Sequence, residues 1–202
     1  MIAQMKTYKI NEIFYYLQGE GGRAGEPSIF VRFSKCNETC KVETHGFDCD
    51  TEFISGTEMT LDQIQKAIAD LGSTCKWLVL TGGEPGLQLD SDFIKFFKKQ
   101  DYKLAIETNG TIELPSGLDW VTVSPKVAEH ALRQKTASEI KYVRAHGQGL
   151  PVPLCKAELK YISPAWSADG LERKNLECCI KLCEENPDWR LSCQQHKWWK
   201  IR

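Results

Sequence analysis

The sequence predicts an α/β fold: a shortened (β/α) barrel of about six parallel strands with crossover helices. Three observations carry this. Short runs rich in β-branched and aromatic residues recur along the 202-residue chain, several of them beside amphipathic helical patterns, and that alternation builds a parallel sheet. Motifs rich in Cys, Gly and Pro follow the runs directly, where α/β folds collect their binding loops. The length is below the roughly 250 residues of an eightfold barrel, so a shortened barrel with an open edge is expected. Residues 1–202 are expected to form one domain.

In chain order the strand-like runs fall at residues 29–33, 77–80, 104–107, 120–123, 140–143 and 159–162. Thr60, Leu61, Asp62 and Gln63 form a capping-box signature ahead of a helix that sets Leu61, Ile64, Ala67, Ile68 and Leu71 on one side. Asp90 or Ser91 caps a second helix, with Phe93, Ile94, Phe96 and Phe97 turned inward. A third helix runs from about residue 171 to residue 185 and is stopped by Pro187. Residues 145–153 hold two Gly and two Pro and read as an exposed connection.

Composition narrows the function classes. A hydrophobic content of 42%, a charged content of 26% and a net charge of -1 describe a globule without the basic excess of a nucleic-acid binder, which leaves a small-molecule partner. The N-terminal MIAQMKTYKI lacks the apolar core of a signal peptide, and no segment approaches the roughly 20 apolar residues of a membrane span. A cytoplasmic location is therefore expected. Nine cysteines, with Cys178 and Cys179 adjacent, cannot all pair as disulfides, in keeping with a reducing compartment.

The segment CNETCKVETHGFDCDT crowds Cys36, Cys40 and Cys49 into a loop, residues 36–51, just after the first strand-like run. Reduced, clustered thiols suit a soft metal or an iron-sulfur cluster. Three thiolates on a four-iron cluster leave one iron open to a ligand; with His45 as a fourth donor, the same residues also suit structural zinc. Further on, VLTGGEPGLQ sets two glycines and a proline after a strand, where the backbone can approach a ligand closely and Glu84 can meet an ammonium. Taken alone, that segment reads equally as a tight turn. Cys178, Cys179 and Cys183 sit in a helical pattern, where cysteine serves as a small buried hydrophobe. Trp198 and Trp199 suit core or dimer contacts better than a stacking platform.

Together, the three cysteines and GGEP resemble the radical S-adenosylmethionine superfamily. More narrowly, INEIFYYLQGEGGRAGEPSIFVRFSKCN, CDTEF, LTGGEPGLQLD, AIETNG, DWVTVSPK and WRLSCQQHKWWKIR, in that order from Ile10 to the last residue, resemble the 7-carboxy-7-deazaguanine synthase family. The resemblance implies a radical-SAM partial barrel and a lyase of deazapurine (queuosine-type) biosynthesis. Its reduced 4Fe-4S cluster would cleave S-adenosylmethionine to a 5'-deoxyadenosyl radical, which takes a hydrogen from C6 of 6-carboxy-5,6,7,8-tetrahydropterin. The product would be 7-carboxy-7-deazaguanine, formed with loss of ammonia.

The resemblance also implies roles for residues that match. Cys36, Cys40 and Cys49 would hold the cluster, and Thr51 would ligate Mg2+ through its hydroxyl. Gly83, Glu84, Ser124, Pro125 and Lys126, with the loop Ser163, Pro164, Ala165 and Trp166, would contact S-adenosylmethionine. Leu17, Gln18, Gly19, Glu20 and Thr81 would contact the pterin, Arg32 would clamp its carboxylate, and the terminal carboxylate of Arg202 would reach it as well. His196 and Lys197 belong to the matching C-terminal segment, with no role readable. A flavodoxin- or ferredoxin-type reductant and a homodimer are implied partners.

The cysteine spacing departs from the superfamily's CxxxCxxC: eight residues separate Cys40 from Cys49, and Asp48 stands where an aromatic usually precedes the third cysteine, with Phe47 one place earlier. Two other readings remain open here: a small activase that installs a glycyl radical on a partner protein, and a non-catalytic zinc-binding module.

Overall fold

The computed structural model describes residues 6–49, 51–167 and 169–201. Its centre is a nine-stranded sheet of β1 (Tyr8–Leu17), β2 (Pro27–Phe33), β3 (Thr57–Met59), β4 (Trp77–Gly82), β5 (Lys103–Thr108), β6 (Trp120–Val123), β7 (Thr136–Arg144), β8 (Lys156–Pro164) and a last strand, Trp189–Leu191. A separate two-stranded piece, β9 (Trp166–Ser167) with β10 (Gly170–Leu171), makes the last strand β11. The spatial order is β11-β8-β7-β6-β5-β4-β2-β1-β3. Every pairing from β2 through to β11 is parallel, whereas β1 runs antiparallel to β2 and to β3.

All six predicted runs are strands of this parallel array, so the α/β partial-barrel class holds. In the nine-stranded sheet three strands go beyond the prediction. β1 and β3 extend one edge with antiparallel pairing, and β11 adds a seventh parallel strand at the other. β11 and β3 span three residues each, too few for a period-two signal to stand out.

Helices cover the sheet less evenly than a strict alternation would. α1 (Val42–His45) lies in the cysteine loop, α2 (Leu61–Asp70) precedes β4, α3 (Ser91–Lys98) joins β4 to β5, α4 (Arg173–Glu185) joins β8 to β11, and α5 (Gln195–Trp199) closes the described chain. The links from β5 through β8 carry only a short 3-10 turn at Glu129–Ala131. Pro115 and Gly117 in the first of these links explain why: one lacks a backbone donor and the other sits at φ +104°, and neither suits a helix interior.

The helix starts follow local chemistry. The Thr60 hydroxyl accepts the Gln63 N–H while the Gln63 side chain accepts the Thr60 N–H, a complete capping box. Asp90 accepts the N–H groups of Asp92 and Phe93 at the start of α3.

Strand alternation then divides the sheet into two faces. Ile29, Val31, Phe33, Leu78, Leu80, Leu104 and Ile106 point to α2 and α3 and pack with Ile64, Ile68, Phe93 and Phe97 into the main core. Each such buried side chain contributes about 1.5–3 kcal/mol through burial alone. A second cluster under α4 joins Ile140, Tyr142, Ile162, Cys179 and Trp189. The opposite face begins with a small apolar layer, Phe14, Phe30, Val79 and Ala105, in which the Phe14 and Phe30 rings stack 5.0 Å apart. Two residues further along the same strands stand Arg32, Thr81 and Glu107, and these open onto a cavity.

Candidate active site

A cavity of about 770 Å³ lies at the carboxyl ends of the parallel strands, within the usual size of a small-molecule site. The three cysteines stand on one wall of it. Their loop is held by the GGEP turn: the Gly83 N–H donates to Phe33 O and the Glu84 N–H to Lys35 O, each at 2.9 Å. Packing there is so close that a Cβ on Gly83 would stand 2.0 Å from Lys35 O. Gly82 adopts φ +107° beside the Phe33 backbone, and Lys35 itself takes φ +72° immediately before Cys36. The two glycines are thus required by the approach of one loop to another.

The expanded part of the cysteine loop folds into α1. Asp48 accepts the Val42 N–H at 3.1 Å, and Gly46 ends the helix in the left-handed region. Asp48 therefore stabilises the insertion, while Phe47 lines the cavity with the Lys126 ammonium 5.1 Å from its ring centre. His45 does not line the cavity, and its Nδ1 accepts the Lys41 N–H at 3.2 Å and lies 2.7 Å from the Thr44 hydroxyl. Among the described residues no three His, Cys, Asp or Glu side chains converge on a point suited to a single ion. A four-iron cluster spreads its thiolates over separate irons, and the cavity wall offers three thiols and, among its described lining residues, no fourth. Burial pushes the Cys36 and Cys40 thiols up, so cluster binding has to displace their protons.

Glu84 is placed differently from the sequence expectation. Its side chain is fully buried and does not line the cavity. One carboxylate oxygen accepts the Gly86 N–H and the Thr108 hydroxyl, each at 2.8 Å, and the other accepts the Asn109 N–H at 2.7 Å. Burial raises its pKa. Glu84 binds the GGEP turn to the end of β5. Pro125 also lies outside the lining, in contrast to its neighbours Ser124 and Lys126, which are joined at 2.8 Å.

The opposite wall is built by the turn after β1. Leu17, Gln18, Gly19 and Glu20 all line the cavity. The Gln18 carbonyl oxygen of the side chain accepts the Gly19 N–H at 2.7 Å, and its amide donates to Glu107 at 2.9 Å. The Thr81 hydroxyl donates to the other Glu107 oxygen at 3.0 Å. Arg32 lines the cavity between Glu12, 3.5 Å from its Nη1, and the Phe14 ring, and its buried Nε has no hydrogen-bond partner among the described residues. Glu20 forms a buried ion pair with Lys141 and accepts from the Gln194 amide at 3.2 Å.

The C-terminal segment closes this side. Gln195 N–H donates to Gly19 O at 3.0 Å, and a Cβ on Gly19 would stand 2.2 Å from the His196 ring. His196, Lys197 and Ile201 line the cavity. The expected Arg202 ligand lies outside the described residues. Thr51 lines the cavity next to the cysteine loop, and Ser163, Pro164, Ala165 and Trp166 line it from the end of β8. The buried Trp166 Nε1 has no partner among the described residues, and its ring lies 6.3 Å from that of Trp198. Trp198 and Trp199 are exposed, so they are not core residues.

Sequence reading missed Glu107 and Lys141, both of which line the cavity. Glu107 stands on the same face as Thr81, and Lys141 on the same face as Glu139; period-two alternation from the core members Leu104 and Ile106, and Ile140 and Tyr142, sets both charges on the face opposite the core, the signal that could have found them.

Comparison with known proteins agrees with this geometry. A family model described as a 4Fe-4S single cluster domain matches residues 17–140. A 7-carboxy-7-deazaguanine synthase of Caulobacter vibrioides is 36% identical over 209 residues, covering 95% of this chain and 98% of the relative. Another, of Bacteroides thetaiotaomicron, is 38% identical over 195 residues, covering 96% and 98%. The crystal structure of QueE from Escherichia coli superposes with a TM-score of 0.70 at 26% identity, covering 93% of this chain and 94% of that one. With near-complete coverage in both directions, the chain belongs to the 7-carboxy-7-deazaguanine synthase family.

Proposed function

We propose that the chain converts 6-carboxy-5,6,7,8-tetrahydropterin to 7-carboxy-7-deazaguanine, as a radical S-adenosylmethionine lyase of deazapurine biosynthesis. Substrate and product differ by the elements of ammonia, so the conversion is redox-neutral overall. The carrying observation is that one cavity unites three thiols on one wall with Arg32, whose buried Nε lacks a partner among the described residues, and the Glu20 carboxylate on the other. A pterin with a carboxylate at one end and, at the other, a flat pyrimidinone ring bearing paired N–H donors complements those two groups.

The cluster, held by Cys36, Cys40 and Cys49, and S-adenosylmethionine together supply single-electron, hydrogen-abstracting chemistry when bound. The chain's own residues position and enclose. Gly83, with Ser124, Lys126 and residues 163–166, would receive S-adenosylmethionine beside the cysteine loop. Leu17, Gln18, Gly19, Glu20 and Thr81 would hold the pterin ring, and Arg32 its carboxylate. α5 packs over the Gly19 turn and shields the ring from water. The Thr51 hydroxyl would ligate Mg2+ shared with substrate oxygens, and the Arg202 carboxylate would add a further contact.

In the same reading residues 1–202 form one domain with an expanded cluster loop at 36–51. A homodimer covers the open sheet, whose described edges are β3 and β11. A flavodoxin- or ferredoxin-type protein supplies electrons. All nine cysteines are free, which supports a cytoplasmic setting. Among the described residues no helix is long and apolar enough to cross a membrane.

Anaerobic reconstitution tests the proposal. About four iron per chain and turnover of the carboxypterin under reducing conditions, measured with and without magnesium, are expected. Full iron loading without turnover would overturn the substrate assignment.

A further inference from the structure

The acidic side of the cavity is arranged around one buried cation. Lys141, 7% exposed, lies on β7 and pairs with Glu20 from the turn after β1. Two more carboxylates act on the same ammonium, Glu107 from β5 and Glu139 from β7. These two are already held by neutral donors. Glu107 accepts from the Gln18 amide at 2.9 Å and the Thr81 hydroxyl at 3.0 Å; Glu139 accepts from the Gly22 N–H at 2.7 Å and the Thr122 hydroxyl at 2.8 Å. Glu20 has the Lys141 ammonium and the Gln194 amide, with His196 of α5 acting on it as well. Glu20 is the carboxylate of the three that depends on a full positive charge.

We propose that Lys141 is a positioning residue: by fixing Glu20 as an oriented, acceptor-only carboxylate, it makes the cavity select a ring edge bearing paired N–H donors, the 2-amino-pyrimidinone edge of a pterin, over an edge bearing a carbonyl at that place. The inference rests on the substrate reading above. Its physical basis is that an ionised carboxyl only accepts hydrogen bonds, whereas a protonated one can donate to a carbonyl. Three carboxylates crowded in a buried site disfavour one another's charge, and the ammonium offsets this for the one it touches. Burial works against the ionisation of Glu20, and Lys141, the largest of the opposing influences, together with His196 and Gln194 leaves its pKa below the usual value. Without Lys141, Glu20 would take up a proton, and the edge it presents would no longer discriminate.

The test uses the reconstituted enzyme with Lys141→Gln and Lys141→Arg variants, and 6-carboxypterin and its 2-oxo counterpart, 6-carboxylumazine, as unreactive probes. The wild type is expected to bind the pterin at least about tenfold more tightly than the lumazine at neutral pH. Lys141→Gln should raise KM for the carboxytetrahydropterin by about tenfold to a hundredfold, the worth of a charge-assisted bond, while kcat changes far less. Its KM should fall as pH rises and Glu20 ionises, and its discrimination between the probes should shrink. Lys141→Arg should restore the wild-type profile.

Equal wild-type binding of both probes would overturn the proposal whether or not the variants fold. So would a Lys141→Gln enzyme with unchanged KM, discrimination and pH profile. A wild type that neither binds nor turns over the carboxypterin would instead overturn the substrate reading itself.

Discussion

The Glu84 carboxylate accepts the Asn109 backbone N–H at 2.7 Å, joining the GGEP turn to the first residue beyond β5 with no exposure of either carboxylate oxygen to the cavity. Its other oxygen takes Gly86 and Thr108. Glu84→Gln puts an amide NH2 where one set of acceptors stood, against a backbone donor. A loss of about 1–3 kcal/mol of stability is expected, read from denaturant unfolding of the cluster-free protein. An unchanged midpoint would return Glu84 to the list of ligand contacts.

Gly83→Ala should be more damaging to cofactor assembly than to the fold. Its Cβ would meet Lys35 O at 2.0 Å, and Lys35 immediately precedes Cys36, so the cysteine loop must move. Iron content after reconstitution should fall well below about four per chain, while the circular-dichroism spectrum keeps its α/β character.

Cluster ligation separates the cysteines. Alanine at Cys36, Cys40 or Cys49 should abolish the brown chromophore, whereas His45→Ala should keep it, because His45 faces the Lys41 N–H and lies outside the cavity lining. Cys179→Ala should also keep full iron loading, since that side chain is buried under α4 with Ile162 and Trp189. Its cost is stability, about 1 kcal/mol for a small buried side chain.

Acid sensitivity has a local marker beside the cysteine loop. Glu52 accepts the Ile54 and Ser55 N–H groups, the Ser55 hydroxyl and the Asn11 amide. These bonds hold its pKa at about 2, below the ordinary 4.5. A depressed carboxylate stabilises the fold above its unfolded pKa and loses that contribution as pH falls through its folded one. The stability difference between wild type and Glu52→Gln should therefore be full above about pH 5 and shrink between roughly pH 4.5 and 2, followed by thermal unfolding of the cluster-free protein. A difference that stays constant over this range would contradict the assignment.

Legibility followed the range of the interaction involved. The Thr60–Gln63 capping box, the Asp90 cap and the inward set of Phe93, Ile94 and Phe97 were readable because each depends on neighbours within one or two helical turns. Strands β2 and β4 to β8 were readable from β-branched runs bounded by glycine-rich loops. β1 was passed over because its second half, with Tyr15, Tyr16 and Leu17 exposed, breaks the alternation. Phe47 was seen as displaced from its customary place; only the fold showed Asp48 capping α1 and Phe47 lying beneath Lys126.

By itself the sequence determined strands β2 and β4 to β8, helices α2 to α4, the position of the Cys, GGEP and SPK motifs beyond strand ends, and through them the family. Such features are local, and periodicity and turn chemistry specify them within a few residues. The tertiary structure decided which of the carboxylates face the cavity: Glu84, inside a binding motif, is withdrawn into a brace, while Glu20 and Lys141 meet across 121 positions of chain. That pairing exists because the turn after β1 folds across the cavity face to β7, five places away in the sheet order, where the Gly22 N–H also meets Glu139; such a contact leaves no periodic trace in either segment.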